Sequence, residues 1–235
     1  MSKIYFVSDL HLFANRSLGE RYLQTIAQKA SEAKTFVLGG DIFDFRWARR
    51  ETVGHAVDEA VQWLHELTRG CPDCQFHYLL GNHDSLEMFT TRLAELEKEA
   101  ENLAHERFYI RIGSSIFLHG DVADGHMDAE ALADSRKKWT NHKKRGGFLS
   151  GLYDLIVATR IHSPIPYLVY PRGVVAKRIL TYLGAIGQGP DAGVRNVYFG
   201  HIHRAMSDYE YGGLTFHNGG APIKGVRFRI LEAVE

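Results

Sequence analysis

Five apolar runs of β-type residues in this chain each end on a short polar motif, and that recurrence restricts the fold more than any other feature. Lys3-Ile4-Tyr5-Phe6-Val7 leads into Asp9-Leu10-His11, and Phe36-Val37-Leu38 into Gly39-Gly40-Asp41. Phe76-His77-Tyr78-Leu79-Leu80 leads into Gly81-Asn82-His83-Asp84, and Ser115-Ile116-Phe117-Leu118 into His119-Gly120-Asp121. Val197-Tyr198-Phe199 leads into Gly200-His201-Ile202-His203. Runs that stay apolar without alternating read as strands buried on both faces. The chain therefore predicts an α/β fold, whose functional crevice lies beyond the carboxyl ends of the strands. Helices are expected over 18–32, 52–68 and 86–103, with hairpin turns at Ile112-Gly113-Ser114-Ser115 and Tyr211-Gly212-Gly213-Leu214.

Asp and His are poor choices for a packed strand end, because each buried polar side chain must find a partner. A pair of divalent ions would satisfy all of these residues at once. A mixture of carboxylate, imidazole and one amide suits manganese, iron, nickel, cobalt or zinc, whereas an all-oxygen set would point to magnesium or calcium. Gly40, Gly81 and Gly200 stand directly before candidate ligands, where a residue without a side chain lets the backbone turn and approach closely.

In their order, the motifs D-x-H, GD, GNH-D, H and G-H-x-H resemble the signature of the calcineurin-like metallophosphoesterase superfamily, from Asp9 to His203. The resemblance implies a four-layer αββα sandwich and a phosphoesterase using two metal ions, with manganese the expected choice. It implies that Asp9, His11, Asp41 and His203 hold one ion, that Asp41, Asn82, His119 and His201 hold the other, and that Asp41 bridges. Two divalent ions less Asp9, Asp41 and a bridging hydroxide leave one net positive charge to receive a phosphate, which that hydroxide would attack. His83 is left without a metal. It is expected to be catalytic, as a proton donor to the leaving oxygen or a donor stabilising phosphoryl charge, with Asp84 orienting its imidazole, the alternative being that it only packs against the Asn82 turn. Asp44 and Asp121 are read as supporting or turn-forming residues.

At 235 residues with formal net charge zero, the chain suits one α/β domain and shows no global attraction to nucleic acid. Met1 runs straight into the first strand without a leader-like segment, and no apolar stretch reaches a spanning length, so a cytoplasmic location is expected. Cys71 and Cys74 are the only cysteines, and with no second pair they read as reduced loop thiols.

The neutral total conceals polarity. Residues 122–195 carry eleven Lys and Arg against six Asp and Glu, leaving the remainder correspondingly acidic. This stretch is expected to be a helical cap insertion. Arg136-Lys137-Lys138-Trp139 and Lys143-Lys144-Arg145 form its basic cluster, and Arg136, Lys137 and Trp139 are the candidate substrate contacts. Apolar groups follow at Phe148, Leu149, Leu152, Tyr153, Leu155 and Ile156, at Pro166-Tyr167-Leu168-Val169-Tyr170, and at Val174, Val175, Ile179, Leu180, Tyr182, Leu183 and Ile186. Such helices either lie on an anionic membrane surface or enclose an acyl chain, or else pack on the domain edge or in a dimer interface.

A helical cap at this place, with Ser8-Asp9-Leu10-His11-Leu12 and Gly40-Asp41-Ile42-Phe43, resembles the bacterial UDP-2,3-diacylglucosamine hydrolases of lipid A synthesis. That subfamily carries arginine after the asparagine ligand, where this chain has His83. The resemblance implies a phosphorylated lipid or small-molecule substrate cleaved at a pyrophosphate or phosphodiester bond. Gly40-Asp41-Ile42-Phe43-Asp44 and Gly81-Asn82-His83-Asp84-Ser85 also resemble double-strand-break repair nucleases, whose DNA-binding cap and partner-binding tail are not evident here. A non-enzymatic scaffold of the same fold ranks last, since no ligand of the signature is missing.

Overall fold

The computed structural model describes residues 3–48, 50–125, 127–140 and 169–235. Strands β1 (Ile4–Val7), β2 (Thr35–Gly39), β3 (Gln75–Leu79) and β4 (Leu103–Glu106) run parallel, and β10 (Leu231–Ala233) closes the β1 edge antiparallel. The second sheet has the order β5-β6-β7-β9-β8, formed by β5 (Tyr109–Ile112), β6 (Ser115–Leu118), β7 (Asn196–Phe199), β8 (Met206–Tyr211) and β9 (Leu214–Asn218). Its inner strands β6, β7 and β9 are parallel, while β5 and β8 are antiparallel edges.

Alternation along each strand explains why the runs are apolar throughout. Ile4, Phe6, Val37 and Leu79 point at the other sheet and meet Ile110, Phe117 and Tyr198 there. The rings of Phe6, Phe117 and Tyr198 lie 5.0–6.1 Å apart by centroid. Tyr5, Val7, Phe36, Leu38, Phe76 and Tyr78 point the opposite way, onto α1 (Leu23–Ser31), α2 (Val53–Gly70) and α3 (Glu87–Glu99). Ile116, Leu118, Val197, Phe199, Leu214 and Phe216 bury the outer face of the second sheet against α4 (Ala129–Thr140) and α5 (Arg172–Ala185). Full burial of each such side chain stabilises by about 1.5–3 kcal/mol, so three apolar layers fix the sandwich. The layer order is αββα, as expected.

Both expected hairpins form with two-residue loops. Gly212 and Gly213 carry φ of 57° and 81°, the pair of left-handed residues that a tight turn matching strand twist requires. Thr52 caps α2 by accepting from the His55 amide at 3.1 Å. The helix expected over 86–103 stops earlier, at Glu99, and Leu103 opens an edge strand instead. The cause is Asn102, whose side-chain amide donates to the carbonyls of Thr68, Cys71 and Cys74 at 3.0–3.1 Å and turns the chain. Cys71 and Cys74 are free and buried, and burial pushes the Cys74 thiol up to about 12.

Within 122–195, the apolar groups at 148–156 and 166–168 and the basic group at 143–145 lie outside the described residues. The third apolar group is α5, and Val175, Ile179, Tyr182 and Leu183 are core residues of the second sheet. For that group the reading as a membrane or acyl-chain helix is corrected. A stripe at positions i, i+4, i+7 and i+8 covers the sheet instead. No helix among the described residues is long and apolar enough to cross a membrane.

Candidate metal centre

The carboxyl ends of β1, β2 and β3 in one sheet and of β6 and β7 in the other meet at one end of the sandwich. Short backbone bonds lock the loops together. The Asp9 amide donates to the Gly40 carbonyl at 3.0 Å, the His11 amide to Asp41 at 2.9 Å, and the Gly200 amide to His119 at 2.8 Å. Nδ1 of His119 sits 3.2 Å from the Gly39 carbonyl, which joins the second sheet to the first.

Among the described residues, seven non-glycine residues have positive φ, and five of them are candidate ligands: Asp9, His11, Asp41, His201 and His203, at 45–66°. Left-handed backbone is costly for such residues and survives where surrounding structure imposes it. The glycines permit the crowding. A Cβ on Gly81 would stand 2.2 Å from Asp41 Oδ1, one on Gly200 2.2 Å from Asp9 Oδ2, and one on Gly40 2.6 Å from His119 Nδ1. Only Gly40 also needs a left-handed φ, of 85°. At Gly81 and Gly200 the requirement is close approach alone.

Two clusters result. In the first, Nε2 of His11 and Nε2 of His203 are 2.9 Å apart, and Asp9 Oδ1 lies 3.5 Å from His203 Nε2. In the second, Asn82 Oδ1 lies 3.2 Å from His119 Nε2 and 3.1 Å from His201 Nδ1, with Asp41 Oδ2 3.4 Å from His119 Nε2. Asp41 Oδ2 also approaches His11 Nε2 at 3.9 Å, so Asp41 belongs to both clusters. Its Oδ1 accepts from the His83 amide at 2.7 Å, and both oxygens of Asp9 accept from the His201 amide at 2.9 Å.

These distances test the fit to metal. Lone pairs converge: two imidazole nitrogens that can share only one proton, and an amide oxygen facing two further imidazoles. Electrostatics agree, because the buried carboxylates demand positive charge. Burial raises the Asp41 carboxyl, but His119 and His83 outweigh it and hold that group well below the usual carboxylate range. Burial opposes charge on His119, yet Asp41 raises it to about 10. Burial lowers His11 to about 4, the neutral form that a ligand needs. The donor set fits two borderline divalent ions.

The other expected site residues separate. His83 stands beside the first cluster, its ring 5.0 Å from that of His11. Asp84 does not orient it. The Asp84 carboxylate accepts from Tyr78 Oη at 2.7 Å, the Gly81 amide at 2.6 Å and the Ile42 amide at 3.0 Å, which braces the second and third motifs. The carboxylate facing His83 is Asp44, with Oδ1 3.1 Å from Nδ1, a charge contact rather than an aligned hydrogen bond. Asp44 also pairs with Arg16 at 2.8 Å, accepts from the Trp47 amide at 3.0 Å and lies 3.5 Å from His11 Nδ1.

Of the expected substrate contacts, only Trp139 reaches the site. Its ring lies 5.0 Å from that of His83, and the Arg46 guanidinium lies 4.7 Å from the Trp139 ring centroid. Arg136 is 2% exposed and forks onto Asp121 at 2.8 and 2.9 Å while donating to the Arg107 carbonyl. It is an internal strut, not a substrate contact. Lys137 pairs with Asp134 at 2.7 Å on the solvent face of α4. Sequence reasoning missed a pocket of about 410 Å³ lined by Arg172, Arg227, Arg229, Phe228, Ser207 and Ala205, the last two residues beyond His203. These arginines come from separated segments and carry no motif.

The calcineurin-like phosphoesterase profile matches residues 2–205. The chain belongs to that family. A UDP-2,3-diacylglucosamine hydrolase of Pasteurella multocida (strain Pm70) is 33% identical over 139 residues, 59% of this chain and 55% of that protein. A protein of the same name from Histophilus somni (strain 2336) is 32% identical over 87 residues, 37% of this chain and 36% of that protein. The matches thus span about half or less of those relatives' own length. Among solved structures, a dimetal phosphatase from Danio rerio aligns with TM-score 0.49 at 12% identity, over 94% of this chain and 88% of that one. Vps29 of Chaetomium thermophilum aligns with TM-score 0.36 at 14% identity, over 96% and 75%. Those structural likenesses are too low to add to the family assignment.

Proposed function

We propose that the protein hydrolyses a phosphodiester or pyrophosphate bond with two divalent ions, manganese by preference, in a lipid-linked nucleotide such as UDP-2,3-diacylglucosamine. The observation that carries this reading is the position of Asp41, shared between a cluster of Asp9, His11 and His203 and a cluster of Asn82, His119 and His201. Ions bound there lower the pKa of water and stabilise charge on the attacking and leaving oxygens of a phosphoryl group.

The chain's own side chains supply the rest. His83 is the proton donor to the leaving oxygen. Burial works against its charged form, but Asp44 and Asp41 outweigh that and raise its pKa. With Nδ1 held towards Asp44, Nε2 is the atom left to donate. The Trp139 ring lies against that of His83, 5.0 Å between centroids, and adds an aromatic wall beside the donor. The arginine-lined pocket next to His203 offers positive charge to a second anionic group of the substrate. The stretch 122–195 is read as the segment that selects the substrate, and the named relatives support the choice of lipid-linked nucleotide.

The test is UMP release from UDP-2,3-diacylglucosamine by manganese-loaded protein, beside hydrolysis of bis(4-nitrophenyl) phosphate. Release of UMP is the expected result. Turnover of the aryl diester alone would remove the lipid substrate and keep the phosphoesterase, and turnover of neither would remove both.

A further inference from the structure

Opposite the ring nitrogen that faces Asn82, His201 presents Nε2 to Asp124 Oδ1 at 2.8 Å. Asp124 closes the short 3-10 turn Asp121–Asp124 that begins after His119 and the left-handed Gly120, at φ 109°. The same Asp124 oxygen accepts from Tyr170 Oη at 2.7 Å. Tyr170 sits two residues before α5, and its carbonyl accepts from Arg204 Nη1 at 2.8 Å. Arg178, on α5, donates to the carbonyl of Ala123 and ties the turn to that helix. The bonds close a circuit from His201 through Asp124, Tyr170 and Arg204 back to His203, the neighbouring histidine of the same motif.

We propose that Asp124 and Tyr170 are a positioning pair that fixes the His201 imidazole with its proton on Nε2, so that Nδ1 is the atom offered to the ion held with Asp41, Asn82 and His119. A neutral imidazole carries one proton, and an ionised carboxylate 2.8 Å from Nε2 claims it. Nδ1 then faces Asn82 Oδ1 at 3.1 Å as a lone pair towards a lone pair, an arrangement that a cation relieves. Tyr170 keeps Asp124 on station: the Asp124 side chain is 44% exposed, and solvent would otherwise compete for it. Tyr170 lies two residues before α5, so the packing of that helix bears on the contact between Asp124 and His201.

The inference rests on the reading of a two-ion centre, and the experiment separates the two. Wild-type protein, Tyr170→Phe and Asp124→Asn are titrated with manganese and followed by electron paramagnetic resonance and by ion stoichiometry. Wild type is expected to show the spectrum of a coupled pair. Tyr170→Phe should weaken one ion by about 10-fold and Asp124→Asn by up to about 100-fold, the range for partners behind a ligating histidine. Asp124→Asn acts more strongly because an amide can donate to Nε2 and drive the proton to Nδ1. Both variants should show isolated-ion spectra at ion concentrations that fill the wild-type pair, with circular dichroism melts still cooperative. A residue that only supports the fold would lower the melt and leave the coupled spectrum intact. Coupled pairs with wild-type affinity in both variants overturn the proposal, and a wild-type protein that binds no pair overturns the two-ion reading with it.

Discussion

Gly81→Ala adds one methyl group and removes no ligand, so it isolates the requirement for close approach between the second and third motifs. The new Cβ would lie 2.2 Å from Asp41 Oδ1, 2.5 Å from the Asp41 amide nitrogen and 2.9 Å from its Cγ. Ordinary contact for such an atom begins near 3.4 Å, so roughly 1 Å of separation must be created. Rotating the Asp41 side chain clears Oδ1 but leaves the amide, whose position is fixed by the neighbouring His11-to-Asp41 backbone bond at 2.9 Å. The two loops must therefore part, at a cost of about 1–3 kcal/mol for overpacking. Sites of this kind tolerate about 0.5 Å, so the shared carboxylate moves out of register with both clusters. Ion content after dialysis, measured by mass spectrometry, should fall from two per chain to less than one, and hydrolysis of bis(4-nitrophenyl) phosphate should drop by about 10²-fold or more. Gly184→Ala on α5 is the control, because nothing lies within 4 Å of its Cβ. That change should leave ions and rate unaltered and add up to about 1 kcal/mol of stability. A Gly81→Ala protein that keeps two ions and near-normal turnover would refute the reasoning.

Asp41→Ala should lose both ions and all hydrolysis, whereas His83→Ala should keep both ions and slow turnover by about 10²–10⁴, the span of general acid–base groups. Loss of ions from His83→Ala, measured in the same stoichiometry assay, would show that its role is misassigned. The Asp121–Arg136 pair gives an acid-stability prediction. Burial raises the Asp121 carboxyl, but the Arg136 guanidinium outweighs it and holds the group at about 2, below its ordinary 3.8. A folded value below the unfolded one means the contribution is complete above about pH 4 and disappears as pH falls towards 2, amounting to about 2 kcal/mol. Urea unfolding compared at about pH 5 and about pH 2.5 should show that loss in wild type and a smaller one in Asp121→Asn.

Much of the fold and of the candidate site was legible because one physical cause produced both signals. Strands buried on two faces must be apolar throughout, and polar residues placed directly after them stand out. Side-chain direction was less legible. His83 and Asp84 are adjacent in sequence, yet Asp84 turns inward to Tyr78 and the Ile42 amide while His83 faces Asp44, a residue of another loop. Arg136 reads as part of a basic surface run, but it stands four residues after buried Leu132 and so shares the core-facing side of α4. That periodicity was present in the sequence and was masked by the charge of its neighbours. Asp124 and Tyr170 carried no signal at all, because their meeting depends on where α5 packs.

Each of the two clusters draws side chains from both sheets: Asp9, His11, Asp41 and Asn82 follow strands of the first, and His119, His201 and His203 follow strands of the second. Ions seated there would act as rivets through the seam between the halves of the molecule, adding to the grip of Phe6, Phe117 and Tyr198. Chelation would then loosen the architecture as well as silence the chemistry. Damage to the buried aromatic seam, far from any phosphate, would surface first as a leak of metal.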